Sequence, residues 1–206
     1  MDMNPQAQAV FDFWFQPSAG QAADAPRRSW FQKDAAFDRE IEQRFGEEIA
    51  QALEGGLQRW AAEGPAAALA RILLLDQFCR NVYRGTPLSF AGDHLALQAA
   101  LDMIEAGEDQ QLPPLQRAFV YLPLEHAEDM AMQEQSVALF SRMADAARAS
   151  AAAPATIEGL DGMFDYAKRH REVIRRFGRF PHRNAILERA STPAEVEFLK
   201  QPGSGF

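Results

Sequence analysis

Apolar residues recur along most of this chain at the three-and-four spacing of helices that bury one face. The clearest case is the run from about Asp34 to Glu54, where Phe37, Ile41, Phe45, Ile49 and Leu53 form one stripe and Gly55 and Gly56 end it. Upstream, Asn4 followed by Pro5 reads as a cap with proline in the first helical position, and the helix it opens ends before Pro17. That first helix carries Phe11, Phe13, Trp14 and Phe15, an aromatic stripe read as core, and the segment QPSAGQAADAPRR after it reads as loop. Trp30, Phe31 and Trp60 fit either a pocket lining or helix-junction packing, and packing is the usual use of such rings.

Gly64 and Pro65 open a third helix, AAALARILLLDQFC, which is apolar nearly all round and is therefore expected at the centre. RGTP punctuates the chain after Tyr83, and Asp93 is expected to cap HLALQAALDMIEA, with Gly107 as its stop. Pro113 and Pro114 start QRAFVYLP. Pro123 predicts a kink or break before a longer helix over LEHAEDMAMQEQSVALFSRMADAARA, fraying toward Pro154. A further helix is predicted from about Ile157 to Phe177, stopped by Gly178, and Thr192, Pro193 and Glu195 predict a capping box opening a short last helix. No segment alternates apolar and polar positions with β-branched enrichment, so the expected fold class is all-α, an antiparallel array of helix pairs. No 34-residue tetratricopeptide signature is visible.

Length and charge narrow the picture. At 206 residues and 47% hydrophobic, the chain suits one core and hence one domain over residues 1–206. A formal net charge of −8 argues against a nucleic-acid partner, whose phosphates demand many Lys and Arg contacts. No apolar run reaches the roughly 18 residues of a membrane span, since Arg71 interrupts even the longest. Cys79 is the single cysteine, and the opening MDMNPQAQAV lacks the basic and apolar regions of a secretory signal; both point to the cytoplasm.

Three segments carry candidate chemistry. In LLLDQFCRN, Asp76 and Arg80 stand four apart and face each other across a helical turn, with Gln77 and Asn81 beside them. The pair is either a lock at the end of the central helix or a grip in which Arg80 holds a carboxylate or phosphate. Cys79 is a weak nucleophile, because the C-terminal end of a helix dipole raises a thiol pKa. In LEHAEDM, Glu125, Glu128 and Asp129 suit the first turn of a helix, and His126 shares a face with Met130, Gln133, Val137 and Phe140, which points it inward beside Asp129. Such a histidine is either a satisfied core residue or a general base. The Glu-x-x-His repeat of carboxylate-bridged bundles is missing, so no metal and no cofactor are expected.

The third segment, Lys168 to Arg189, holds eight Lys or Arg against two Glu. Met163, Tyr166, His170, Val173, Ile174 and Phe177 share one face of its helix, which turns His170 inward. Beyond Gly178, Arg179, His182 and Arg183 bracket Phe180 and Pro181 as a possible anion clamp; alternatively the segment neutralises the acidic helices on which it packs.

Taken together, VFDFWF, SWFQKDAAFD, LLLDQFCRNVYRGTP, FVYLPLEHAEDM and HREVIRRFGRFPHRN resemble the bacterial domain-of-unknown-function family number 924, over about Val10 to Leu199. The resemblance implies a tetratricopeptide-like right-handed helical superhelix and no established activity. Its motifs fall on Asp76, Gln77, Phe78, Arg80 and Asn81, on Leu124, Glu125 and His126, on Glu128, and on Arg176 through Asn184, including Arg179, His182 and Arg183. Cys79 replaces the family's proline and Ala127 its serine, so neither a thiol nor a hydroxyl beside His126 is expected to be essential. The reading that unites these residues is a pocket in which Arg80, Arg179 and Arg183 grip an anionic small molecule while His126 or His182, with Glu125, moves protons. Its rivals are a groove for an acidic or C-terminal peptide, and ion pairing that is purely structural.

Overall fold

The computed structural model describes residues 3–17 and 25–205, and every regular element among them is helical. In order these are α1 (Pro5–Phe15), α2 (Ala35–Leu53), α3 (Pro65–Leu73), α4 (Cys79–Val82), α5 (Asp93–Glu105), α6 (Pro114–Glu125), α7 (Met130–Ala149), α8 (Pro154–Phe177) and α9 (Pro193–Leu199). Single-turn 3₁₀ segments fill several of the junctions. The loop expected over QPSAGQAADAPRR lies partly outside the described residues.

The punctuation read from the sequence acts locally as expected at most ends. Asn4 accepts hydrogen bonds from the first amides of α1, and Asp34, which the sequence marks only as the start of a helical run, does the same for α2. Gly107 and Gly178 take the left-handed conformation after α5 and α8, and Thr192 and Glu195 close a full capping box on α9. α8 starts at Pro154, three residues before its expected start, because proline serves as its first helical residue.

α3 is the central helix, and Leu69, Ala70, Ile72, Leu73, Leu74 and Leu75 are fully buried. Its neighbours are α1, α5 and α6, while α6, α7 and α8 pack against one another. The aromatic stripe of α1 is core: Trp14 meets Trp30, Phe37, Phe78 and Phe119, with ring centroids 5.4–6.4 Å apart. Trp60 is likewise buried, whereas Phe31 is exposed although its ring stacks on Phe119. A smaller apolar cluster of Val173, Ile174 and Phe180, flanked by Met130, Phe177 and Phe198, lies under the C-terminal segment.

Two departures from the sequence reading shape the site. The helix from Pro65 to Val82 is continuous, but over Leu74–Phe78 it widens into a π-turn in which the Cys79 amide bonds the Leu74 carbonyl. The second concerns Pro123, which lies inside α6 and does not end it. The helix runs on to Glu125, and α7 begins only after Asp129, whose side chain accepts from the Met132 amide. Glu125, Glu128 and Asp129 are therefore not the first turn of one helix, and His126 sits in the corner between two.

Close backbone approach fixes the start of α5. A Cβ on Gly92 would stand 2.3 Å from the Leu75 carbonyl oxygen in the π-turn, a contact no side chain survives. Gly92→Ala must therefore push α5 from α3, at about 1–3 kcal/mol of stability. A urea-denaturation midpoint unchanged from wild type would contradict that packing.

Candidate functional site

Asp76 sits within the π-turn and is almost wholly buried. One carboxylate oxygen, Oδ1, faces His126 Nδ1 at 2.6 Å and an Arg80 guanidinium nitrogen at 3.1 Å; the other accepts from the Gln77 amide. Burial pulls the Asp76 carboxyl upward, but Arg80 and His126 outweigh it and hold it below the usual carboxylate range, so it is ionised. An ionised Asp76 requires His126 to point an Nδ1–H at it. His126 is the C-cap of α6, and it reaches Asp76, not Asp129 as its expected helical face implied. Burial and the nearby Arg80 lower its pKa, keeping the ring neutral at neutral pH.

Asp93 joins the segments. Read from the sequence as a helix cap, it is the first residue of α5 with Gly92 in the cap position, and its carboxylate serves arginines instead. Arg80 grips it through two nitrogens at 2.8 and 3.1 Å, and Arg183 adds a third bond at 3.0 Å. Arg183 also donates to the His126 carbonyl at 2.9 Å, and its guanidinium lies over the rings of Phe90 and Phe180. Burial lowers the Arg183 pKa to about 10, which leaves it charged. The DQFCRN, LEHAED and RRFGRFPHRN segments thus meet at one place.

A second buried pair stands beside the first. Glu125 and His170 approach at 3.0 Å between Oε1 and Nδ1, and the His126 and His170 rings are 6.1 Å apart between centroids. Burial, with Asp76 nearby, pushes the Glu125 carboxyl well above its ordinary range. Burial and the neighbouring His126 push His170 well below its own. His182 lies against Phe180, and burial with Arg183 nearby lowers its pKa to about 4.

The remaining sequence candidates lie around this centre. Glu128 takes two bonds from Arg189, at 2.6 and 2.9 Å, and one from the Phe180 amide at 2.7 Å. Arg179 is held by Glu195 through two bonds of 2.7 and 2.8 Å, and Asn184 links Arg189, Ser191 and Glu195. Arg176 lies over Phe177 and Phe198. Asn81 turns to Asp38 on α2, away from Asp76 and His126. Cys79 is buried and its thiol is pushed up to about 12 by burial, which makes it inert. No group of three potential metal ligands occurs among the described residues.

The carboxylates of Asp93 and Glu195 occupy the positions on Arg80, Arg183 and Arg179 that an anionic ligand's would take. Sequence reasoning passed over Asp93, Arg189 and Glu195 as members of this network. Nothing in the spacing of Asp93 and Arg80 marks them as partners, whereas Arg189 and Glu195 carried signals, the basic run and the capping box, that point to other uses.

Residues 10–203 match the family described as bacterial protein of unknown function, DUF924. The solved structure of a protein of unknown function from Agrobacterium tumefaciens, ATU0120, is 38% identical to this chain. It superposes with a TM-score of 0.78, over 97% of this chain and 99% of that one. No curated protein matches.

Proposed function

The chain belongs to the DUF924 family of bacterial proteins of unknown function, and we propose that its site binds a small polar molecule and moves a proton at His126 Nε2. The observation that carries this reading is the 2.6 Å contact between Asp76 Oδ1 and His126 Nδ1. A buried, ionised carboxylate on one ring nitrogen fixes the tautomer and leaves the other nitrogen without a hydrogen, in position to accept a proton. Arg80 and Gln77 keep Asp76 charged and oriented, and Arg183 holds the His126 backbone in place. The π-turn under Asp76 is a local irregularity of a kind often found at working sites. An anionic ligand would enter by displacing Asp93, which Arg80 and Arg183 share.

The overall charge of −8 and the engaged arginines weigh against nucleic acid as partner. A lone, buried cysteine suits a reducing cytoplasm, and no helix among the described residues is long and apolar enough to cross a membrane. A second reading is favoured by the paired arginines: the network is a clasp that ties residues 178–199 to the corner between α6 and α7.

A thermal-shift screen separates the two. Phosphates, dicarboxylates, nucleotides and small neutral carbonyl compounds are tested on wild type and on His126→Gln. At least one compound is expected to raise the wild-type melting temperature by several degrees and to lose that effect in the variant. Stabilisation of both proteins alike, or of neither by any compound, leaves only the clasp.

A further inference from the structure

Asp93 differs from the other arginine-bound carboxylates of this corner in how it is held. Asp76 and Glu195 are buried, whereas Asp93 keeps 21% of its side chain open to solvent. Its hydrogen bonds come from arginines alone: Arg80 reaches both oxygens, at 2.8 and 3.1 Å, and Arg183 reaches Oδ2 at 3.0 Å. It caps no helix, since Gly92 holds the cap position of α5. The arginines, for their part, do not need Asp93 to stay in place. Arg80 also donates to the Asp76 carbonyl at 2.9 Å and stands 3.1 Å from the Asp76 carboxylate. Arg183 donates to the His126 carbonyl and has the Phe90 and Phe180 rings 4.6 and 4.7 Å from its guanidinium carbon. Arg183 is buried, and its Nε has no acceptor. Two guanidinia anchored from behind, one of them with a donor still unmet, are preorganised to receive an anion.

We infer that the place filled by the Asp93 side chain is the binding site for the carboxylate of a small ligand, and that Asp93 is its built-in competitor, a gate that swings out when that carboxylate docks between Arg80 and Arg183. The inference rests on the reading of this corner as a small-molecule site and adds the ligand's class and the control on its entry.

Shape and charge both select a carboxylate. The two terminal nitrogens of Arg80 form a planar fork, and the planar two-oxygen group that Asp93 presents matches it. Arg80 and Arg183 carry two positive charges and Asp76 one negative, which leaves one positive charge for a monocarboxylate to balance. A phosphate dianion exceeds that balance and brings its excess charge toward Asp76. The gate needs no movement of the helix. Gly92 is fixed against the Leu75 carbonyl, so the change is a rotation of the Asp93 side chain alone. Released, its carboxylate stays at the first turn of α5, where the helix dipole favours a negative charge.

The test is NMR of the whole protein, wild type and Asp93→Ala, titrated with acetate and, at matched ionic strength, with inorganic phosphate. In wild type, acetate is expected to move the Arg183 guanidinium signals and the Asp93 carboxyl carbon together along one saturation curve. Asp93→Ala should bind acetate about tenfold tighter or more, because the wild-type site stands open for only a minor fraction of the time. Phosphate should bind both proteins more weakly than acetate. Acetate that binds Asp93→Ala no tighter than wild type, or that leaves the wild-type Asp93 carbon unmoved, overturns the gate. Phosphate that binds as tightly as acetate overturns the ligand class. Each of these failures leaves His126 standing as a base, whereas His126 found as the Nε2–H tautomer sinks the base reading and leaves the carboxylate site in place. If Asp93→Ala fails to fold, Asp93→Asn, which keeps the volume and loses the charge, replaces it, and the wild-type titration decides by itself whether Asp93 moves.

Discussion

Asp76→Ala is expected to lower the free energy of unfolding by about 3–5 kcal/mol, the usual result of removing one member of a buried ionic network. The loss has several parts. Arg80 keeps Asp93 as a partner, so its charge is not stranded. The His126 Nδ1–H and the Gln77 amide lose their acceptor in a space almost closed to water, and each unmet donor costs about 1–3 kcal/mol. A void inside the helix that crosses the centre of the core adds to this. Asp76→Asn keeps the volume and one acceptor oxygen, so it should lose less stability while still weakening the hold on the His126 tautomer. Urea unfolding followed by far-ultraviolet circular dichroism measures both. A loss under about 1 kcal/mol for Asp76→Ala would mean that water already reaches the carboxylate and that the network does not constrain the corner.

How far the sequence discloses this corner depends on how local each contact is. The Asp76–Arg80 pair is legible because four residues is one helical turn, and the π-turn between them does not undo it. The caps at Asn4 and Thr192 are legible for the same reason. Asp93 is not, because its tie to Arg80 and Arg183 exists only once Gly92 has let α5 against the Leu75 carbonyl, and no spacing encodes that approach. The sequence points His126 toward Asp129 because proline usually ends a helix at the residue before it. Here Pro123 lies within the last turn of α6 and the chain breaks three residues later, which swings the imidazole from Asp129 to Asp76. Tyr166 shares the face of α8 that carries His170 and is nevertheless about half exposed. The pairing of Glu125 with His170 joins residues on different helices, and only the assembled fold contains it.

Acid should unfold this protein from an unusually high pH, because burial disfavours the charged form of three of its imidazoles. His182 falls from its ordinary 6.5 to about 4, chiefly through burial with Arg183 adding to it. His126 and His170 are lowered as well, burial being the first cause in each. In the unfolded chain all three accept protons near 6.5, so below that pH the unfolded state binds more protons than the folded one. Stability is therefore intact above about 6.5 and declines as the pH falls toward 4. His182 alone accounts for roughly 3 kcal/mol over that range, at 1.36 kcal/mol for each pH unit. Glu125 acts with the opposite sign. Its carboxyl is raised, so its contribution is full below 4.5 and declines above, which blunts the slope without reversing it against three histidines. The lowered carboxyls of Asp76 and Glu128 reinforce the decline only below their ordinary values of 3.8 and 4.5, where they begin to take up protons on unfolding. Urea midpoints measured from pH 8 to 4 should thus fall steeply between 6.5 and 4 in wild type, and less steeply in His182→Gln, whose side chain cannot take up the proton. Midpoints that stay level between pH 7 and 5 would mean that these rings titrate as freely folded as unfolded, and the closed corner on which the site depends would have to be open to water.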